Sequence, residues 1–351
     1  MSFWQKIKAA GKPIVVLAPM ADVTDAAFRR MIAKYSRHTR ADGTDGGPDV
    51  MWTEFVSADG LVRATEEGKK KLMADLIYTE EERPIVAQLF SSNPEYMEYA
   101  AKLCVELGFD GIDINMGCPD RSIERQGCGA AMIKSPSVAR SIIRAAKQGV
   151  ARAGKEIPVT VKTRIGYNKD ELDTWLPELL AEQPAVITVH ARTRKEMSKV
   201  PARWERVKRA VEIRDALGSE TLILGNGDVT SVLDAHEKCA MTGADGAMLG
   251  RAIFGNPWLF HPEKDLSNVT LEERFRVMIE HTRLFEELLS FKNFAIMKKH
   301  YKAYVHGFHG APELRVELMD QKTSDAIEAV VNTFLGAHPE LRTWTSDTMS
   351  T

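Results

Sequence analysis

Eight short apolar runs alternate along the chain with longer amphipathic stretches. The runs fall at residues 13–19, 49–54, 84–90, 110–115, 158–164, 185–190, 221–226 and 245–250, bounded by Gly, Pro, Asp or Asn. Runs of that length, rich in β-branched residues, predict strands buried on both faces, as in a parallel sheet. The stretches between them carry helical punctuation. Asn93-Pro94 reads as the N-cap and first residue of a helix that stops at Gly108. Ser135-Pro136 opens the next in the same way, and Thr230 precedes a helix that closes at Gly243. Eight strand-then-helix units predict an α/β fold, a (β/α)8 TIM barrel. A doubly wound open sheet is the second choice, but no G-x-G-x-x-G follows the first strand.

After about residue 261 the strand runs cease. Helical stretches at 271–290, 292–308 and 324–336 predict a small C-terminal α-helical domain. The expected division is 1–261 for the barrel and 262–345 for the helices, with a loose tail from 342 onward. The polar, Gly-rich loop 36–49 reads as a surface insertion in preference to a lid edge.

Composition narrows the setting. A chain of 351 residues, 44% hydrophobic, can bury one large core and a small one. Its net charge of −2 gives no global field for nucleic acid, so RNA contact would need a local patch. Cys104, Cys118, Cys128 and Cys239 show no C-x-x-C spacing and no disulfide framework. A reduced, cytoplasmic protein without a metal site is expected. The apolar run near the N-terminus is too short for a signal peptide, and no segment is long enough to span a membrane.

In a barrel of this kind the active site gathers at the C-terminal ends of the strands. Here those ends are polar: Gln88, Asn115 followed by Cys118, Lys162 and Arg164 alternating with Thr160, His190 followed by Arg192, Asn226-Gly227-Asp228, and Gly250-Arg251. Lys162 reads as a cation in the mouth, able to stabilise an electron-rich ring, or as an edge position facing solvent. His190 is as readily a core histidine as a site residue. The glycine turns after the last two strands suit phosphate, of a cofactor or of a phosphorylated substrate. With Lys162 and Gln88 below, flavin mononucleotide fits best. Cys118, a thiol protonated near neutrality, is the candidate acid. Cys104 and Cys239 fall in helical patterns and are expected to pack, as is Cys128.

The segments "APMADVTDAAFR", "TEFVSADGL", "AQLF", "DINMGCP", "GAAMIKSP", "VTVKTRIG", "VHARTR", "LGNGDV" and "MLGRAIFGNPWLF" resemble, in order, those of tRNA-dihydrouridine synthases. The resemblance implies FMN held by Pro19, Met20 and Ala21 under the ring, and by Gln88, Asn115, Lys162 and His190 around the ring and ribityl chain. Asn226, Gly227, Asp228, Gly250 and Arg251 would hold the ribityl and phosphate end. It implies NADPH as electron donor, Cys118 as catalytic acid, and reduction of the uridine C5–C6 bond in tRNA. Hydride would pass from flavin N5 to C6 and a proton from Cys118 to C5. Arg164 and Arg192 would face the substrate. Two departures stand out: Asp22 where the family commonly has Gly, and Asp120-Arg121-Ser122 where it usually has lysine.

The helical tail resembles that family's tRNA-binding domain. Lys298, Lys299 and Lys302, with Lys292 and Arg315, form a local basic patch, with Tyr301 and Tyr304 among them and Glu313 the single acid. Salt-sensitive RNA binding is the expected consequence. A monomer is expected, since nothing demands a partner chain. A reductase of free pyrimidines, of the dihydroorotate dehydrogenase kind, would share barrel, FMN and thiol but need no basic tail. A non-catalytic RNA-binding factor would need neither flavin nor thiol.

Overall fold

The computed structural model describes residues 2–39, 43 and 45–346. They pack as two units, Met1–Ala21 with Asp49–Gly250, and Asp22–Pro48 with Arg251–Thr351.

The first unit is a parallel β/α barrel. Its strands are β1 (Ile14–Leu17), β2 (Met51–Ser57), β3 (Ile85–Phe90), β4 (Gly111–Met116), β5 (Val159–Arg164), β6 (Val186–His190), β7 (Leu222–Asn226) and β8 (Gly246–Leu249). Neighbours from β2 to β8 pair in parallel, and β8 pairs β1. The Leu17 N–H donates to the Val50 carbonyl and the Asp49 N–H to the Val15 carbonyl, which joins β1 to the start of β2 and closes the ring. All eight strands lie where the apolar runs predicted them.

Strand alternation then sorts the interior by height. Low in the barrel, Val16, Val86, Val186 and Leu224 pack with Ile14, Val50, Trp52 and Met248. Helix Phe3–Ala9 inserts Trp4 into that cluster, its ring 5.9 Å from Trp52. Two residues further along the strands, Val86 gives way to Gln88 and Leu224 to Asn226. The lower interior of the barrel is therefore apolar, and the inward side chains turn polar toward the C-terminal ends of these strands.

The helical caps follow the sequence in part. The Asn93 side chain accepts from the Glu95 and Tyr96 N–H groups, and Gly108 has φ +86° beyond the helix end. Ser135 makes no side-chain cap bond. At the helix Val232–Thr242 the cap is Ser231, not Thr230, which instead bonds the Asp234 carboxylate.

In the second unit, helix Ala26–Ser36 packs on Leu271–Leu288: Phe28 stacks on His281 at 4.9 Å, and the Tyr35 hydroxyl donates to Glu280 at 2.6 Å. Residues 292–308 form a 3-10 turn, Phe294–Met297, and a short helix, Lys298–Tyr304, in place of the single helix expected. A further helix, Ala311–Asp320, precedes Ser324–Ala337. The described part of the tail is tied down, with the Leu271 N–H donating to the Trp344 carbonyl and Arg274 lying over the Trp344 ring. In the loop 36–49, His38–Thr39 pairs with Asp45–Gly46 as a short hairpin; residues 40–42 and 44 lie outside the described residues.

Candidate active site

Sheet register brings the polar strand ends together. Gln88 lies opposite Asp113, Asp113 opposite Thr160, Asn115 opposite Lys162, and Arg164, His190 and Asn226 follow one another across β5, β6 and β7. Asp113, two residues before Asn115, therefore shares its inward face. Its Oδ2 accepts from Gln88 Nε2 at 2.7 Å and its Oδ1 from the Thr160 hydroxyl at 2.5 Å. Burial pushes this carboxyl up to about 6, against the two hydrogen bonds and the Lys162 charge. Sequence reading passed over Asp113. The signal was the two-residue spacing from Asn115, and it was hidden because a strand buried on both faces shows no alternation of polarity.

Lys162 is half-buried at the mouth. Its ammonium carries three donors but has one hydrogen-bond partner among the described residues, Asn226 Oδ1 at 3.2 Å. Burial, then the Arg164 charge, lowers its pKa to about 8. Such a group suits an electron-rich or anionic partner that completes its hydrogen bonding.

Cys118 sits half-buried on the loop after β4. Asn115 builds that loop: its Oδ1 accepts the N–H groups of Gly117, at 3.1 Å, and Cys118, at 2.9 Å. Burial raises the Cys118 pKa, so the thiol keeps its proton near neutral pH. Cys104, Cys128 and Cys239 are buried, each with its pKa raised by burial. Packing thiols of that kind do not compete with Cys118 for chemistry.

The two arginines are engaged with the protein itself. Arg164 is buried, and its guanidinium donates to the carbonyls of Gly117 at 2.7 Å, Thr193 at 3.1 Å and Met197 at 3.1 Å. Arg192 donates to the Val200 carbonyl and pairs with Asp228 at 2.5 Å, with His190 Nε2 at 3.3 Å from its Nη1. Both hold loops at the mouth.

The glycines divide into two kinds. A Cβ on Gly225, within β7, would lie 2.3 Å from the Trp204 ring, and Gly227 has φ +120° with its carbonyl accepting from the Trp204 indole at 2.8 Å, so packing and backbone conformation account for these two glycines. Gly250 differs: its φ is ordinary, and a Cβ there would meet nothing nearer than Met20 Sδ at 3.6 Å. Neither packing nor conformation calls for glycine at 250, which leaves its backbone open to a ligand. Pro19 and Met20 follow β1 half-buried, with Ala21 exposed beside them. Asp22 has φ +53°, the left-handed region that favours glycine and that Asp tolerates better than most residues, which accounts for the alternation at that position.

Arg251, exposed, begins the C-terminal segment of the second unit and opens the turn Arg251–Ile253. In helix Lys298–Tyr304, Lys298 and Lys302 are exposed and Lys299 half-buried, while His300, Tyr301 and Tyr304 are buried. The tyrosines expected on the basic surface belong to the core, because Met297, His300, Tyr301 and Tyr304 share one helical face.

A parallel β/α barrel that gathers a half-buried lysine, side-chain amides and a thiol at the C-terminal ends of its strands has the architecture of a barrel enzyme. The chain belongs to the dihydrouridine synthase family: the family model, "Dihydrouridine synthase (Dus)", matches residues 16–337. It is an oxidoreductase, and the family is flavin-dependent. It is 36% identical over 336 residues to "Probable tRNA-dihydrouridine synthase 2" of Bacillus subtilis (strain 168), covering 95% of this chain and 96% of that one. To "Probable tRNA-dihydrouridine synthase" of Staphylococcus aureus (strain MRSA252) it is 35% identical, covering 95% of each chain. Among solved structures, the barrel resembles a 2-naphthoyl-CoA reductase in complex with 2-naphthoyl-CoA, with a TM-score of 0.51 and 11% identity, over 70% of this chain and 49% of that one. That likeness is one of fold. Among the described residues no helix is long and apolar enough to cross a membrane, and no cluster of side chains could hold a metal ion.

Proposed function

We propose that this protein reduces the C5–C6 double bond of uridine in tRNA to 5,6-dihydrouridine, with FMN as its cofactor and NADPH as electron donor. The observation that carries the reading is Lys162, a cation with unfilled hydrogen-bonding capacity, in the strand-end layer that also presents the protonated Cys118 thiol. Lys162, Gln88 and Asn226 would hold the flavin ring and ribityl chain, and the open backbone at Gly250 would meet the phosphate end, with Arg251 adding charge. When bound, FMN supplies the hydride that goes to C6 of the uracil. Lys162 balances negative charge at the ring's polar edge. Cys118 gives its proton to C5, where charge develops. Asn115 and Arg164 hold the loop from which it acts. A stacked uridine cannot reach such a mouth, so the base must be splayed out while the backbone is gripped elsewhere. Lys298, Lys299 and Lys302 would bind phosphates in that grip, in a salt-dependent way.

The test is direct. Purified protein supplied with FMN and NADPH is incubated with tRNA lacking dihydrouridine, and the nucleosides are quantified by mass spectrometry. Dihydrouridine should form, and the protein should be yellow. No product in tRNA with turnover of free pyrimidines would replace this reading with the small-molecule reductase. A colourless protein that binds tRNA and takes up no FMN would replace it with a binding factor.

A further inference from the structure

The reaction proposed above assigns nothing to Asp113, yet this buried carboxylate heads a chain of hydrogen bonds that ends on the backbone of Cys118. A carboxylate without a proton only accepts hydrogen bonds. The amide of Gln88, whose two ends are alike in shape, must therefore turn its nitrogen to Asp113, at 2.7 Å. That leaves Gln88 Oε1 to accept from Asn115 Nδ2 at 3.3 Å. Asn115 in turn has its oxygen directed at the loop, where it takes the Gly117 and Cys118 N–H groups. Thr160 pins the far oxygen of Asp113 at 2.5 Å, and Gln88, Asp113 and Thr160 are each about 1% exposed, so water does not compete. The peptide between Gly117 and Cys118 is held on both edges, its N–H by Asn115 and its carbonyl by Arg164 at 2.7 Å. A Cβ on Gly117 would lie 3.3 Å from the Thr163 carbonyl carbon, so the loop has little room to shift.

We infer that Asp113 is a positioning residue whose carboxylate, through Gln88 and Asn115, sets the amide polarity that holds the loop and aims the Cys118 thiol. Its consequence for catalysis rests on the reading of Cys118 as proton donor; the polarity relay itself does not.

The test reads the thiol directly. Alkylation of Cys118 by iodoacetamide is followed by peptide mass spectrometry across pH 6–9, together with kcat and KM for tRNA. Asp113→Asn is isosteric, but its amide can face Gln88 with either end. Flipping both amides would leave two loop N–H groups unpaired. Cys118 alkylation should then rise about tenfold and kcat fall about tenfold, with KM for tRNA unchanged. The swap Gln88→Glu with Asp113→Asn restores an acceptor-only group facing Asn115, and should return the alkylation rate to within about twofold of wild type. A folded Asp113→Asn protein with wild-type alkylation would overturn the inference, as would a swap variant no closer to wild type than the single one. If Asp113→Asn does not fold, the swap decides: wild-type alkylation supports the relay, and a faster thiol or an unfolded protein refutes it. Alkylation needs no cofactor. A wild-type protein that takes up no FMN would thus remove the flavin reading and leave the relay standing.

Discussion

At the scale of single residues, the site separates charge from acid. Lys162 is a cation weakened by burial, and Cys118 is a thiol strengthened in its hold on the proton by the same cause. Each makes its own prediction. Cys118→Ala should keep its yellow colour and still oxidise NADPH, since the thiol holds no cofactor, yet dihydrouridine formation should drop by about a hundredfold or more, the loss of a general acid. Loss of flavin from that variant would make the thiol a structural residue. For Lys162 the dependence on pH has a definite sign. The ammonium is charged below its pKa of about 8 and neutral above it. An anionic partner stabilises the charged form, so affinity for FMN should hold up to about pH 8 and decline as pH rises further. Titration by quenching of flavin fluorescence measures this. Lys162→Met should show the weak affinity already at pH 7, and a wild-type affinity flat up to pH 10 would remove the charge from the site.

At the scale of elements, close approach of strands decides which positions tolerate a side chain. A Cβ on Gly246 would stand 2.2 Å from the Ile14 carbonyl oxygen, a backbone atom that cannot turn aside without breaking the β1–β8 ladder. Gly246→Ala should therefore cost about 2–3 kcal/mol or more in urea unfolding, at the upper end for overpacking. A cost below about 0.5 kcal/mol, the range of a surface change, would mean that the strands separate freely there. The same local physics explains what could be read from the sequence. The eight barrel strands were legible because both faces are buried and each run is bounded on at least one side by a Gly, Pro, Asp or Asn. Their polar ends were legible too, since a barrel collects its strand ends at one mouth. Asp113 was not, because an inward acid in a doubly buried strand looks like punctuation. The helix Ala311–Asp320 was hidden behind Gly310-Ala311-Pro312, which reads as a break although Pro suits the first helical turn. The bonds that Arg164 and Arg192 make to loop carbonyls, His190 and Asp228 were not legible either, since no spacing announces such partners. Likewise, nothing local assigns helix Ala26–Ser36 to the unit built from residues beyond 250.

At the scale of the whole molecule, the two units carry buried titratable groups of opposite effect. In the helical unit, His281 and His300 are wholly buried, their rings 4.6 Å apart, and none of their four ring nitrogens has a hydrogen-bond partner among the described residues. Burial lowers His281 to about 3 and places His300 well below the usual range, the latter helped by the His281 and Lys299 charges. An unfolded histidine takes up its proton near pH 6.5, so between there and about 3 the unfolded chain binds more protons than the folded one. Stability contributed by neutral His281 is therefore complete above about pH 6.5 and is lost as pH falls, by about 2 kcal/mol at pH 5. Asp113 in the barrel runs the other way. Its folded pKa, about 6, lies above that of an unfolded aspartate, so the folded state holds the extra proton and acidification favours it. Mild acid should accordingly open the helical unit before the barrel. Amide exchange between pH 7 and 4 would follow Leu271–Leu288 and Lys298–Tyr304 against the barrel strands, and the helices should lose protection first. His281→Phe keeps a ring against Phe28 and removes one titrating group. Relative to its effect at pH 7, it should stabilise the helical unit by about 2 kcal/mol at pH 5. Equal loss of protection in both units, unaltered by that substitution, would mean that the histidine pair does not set the acid limit.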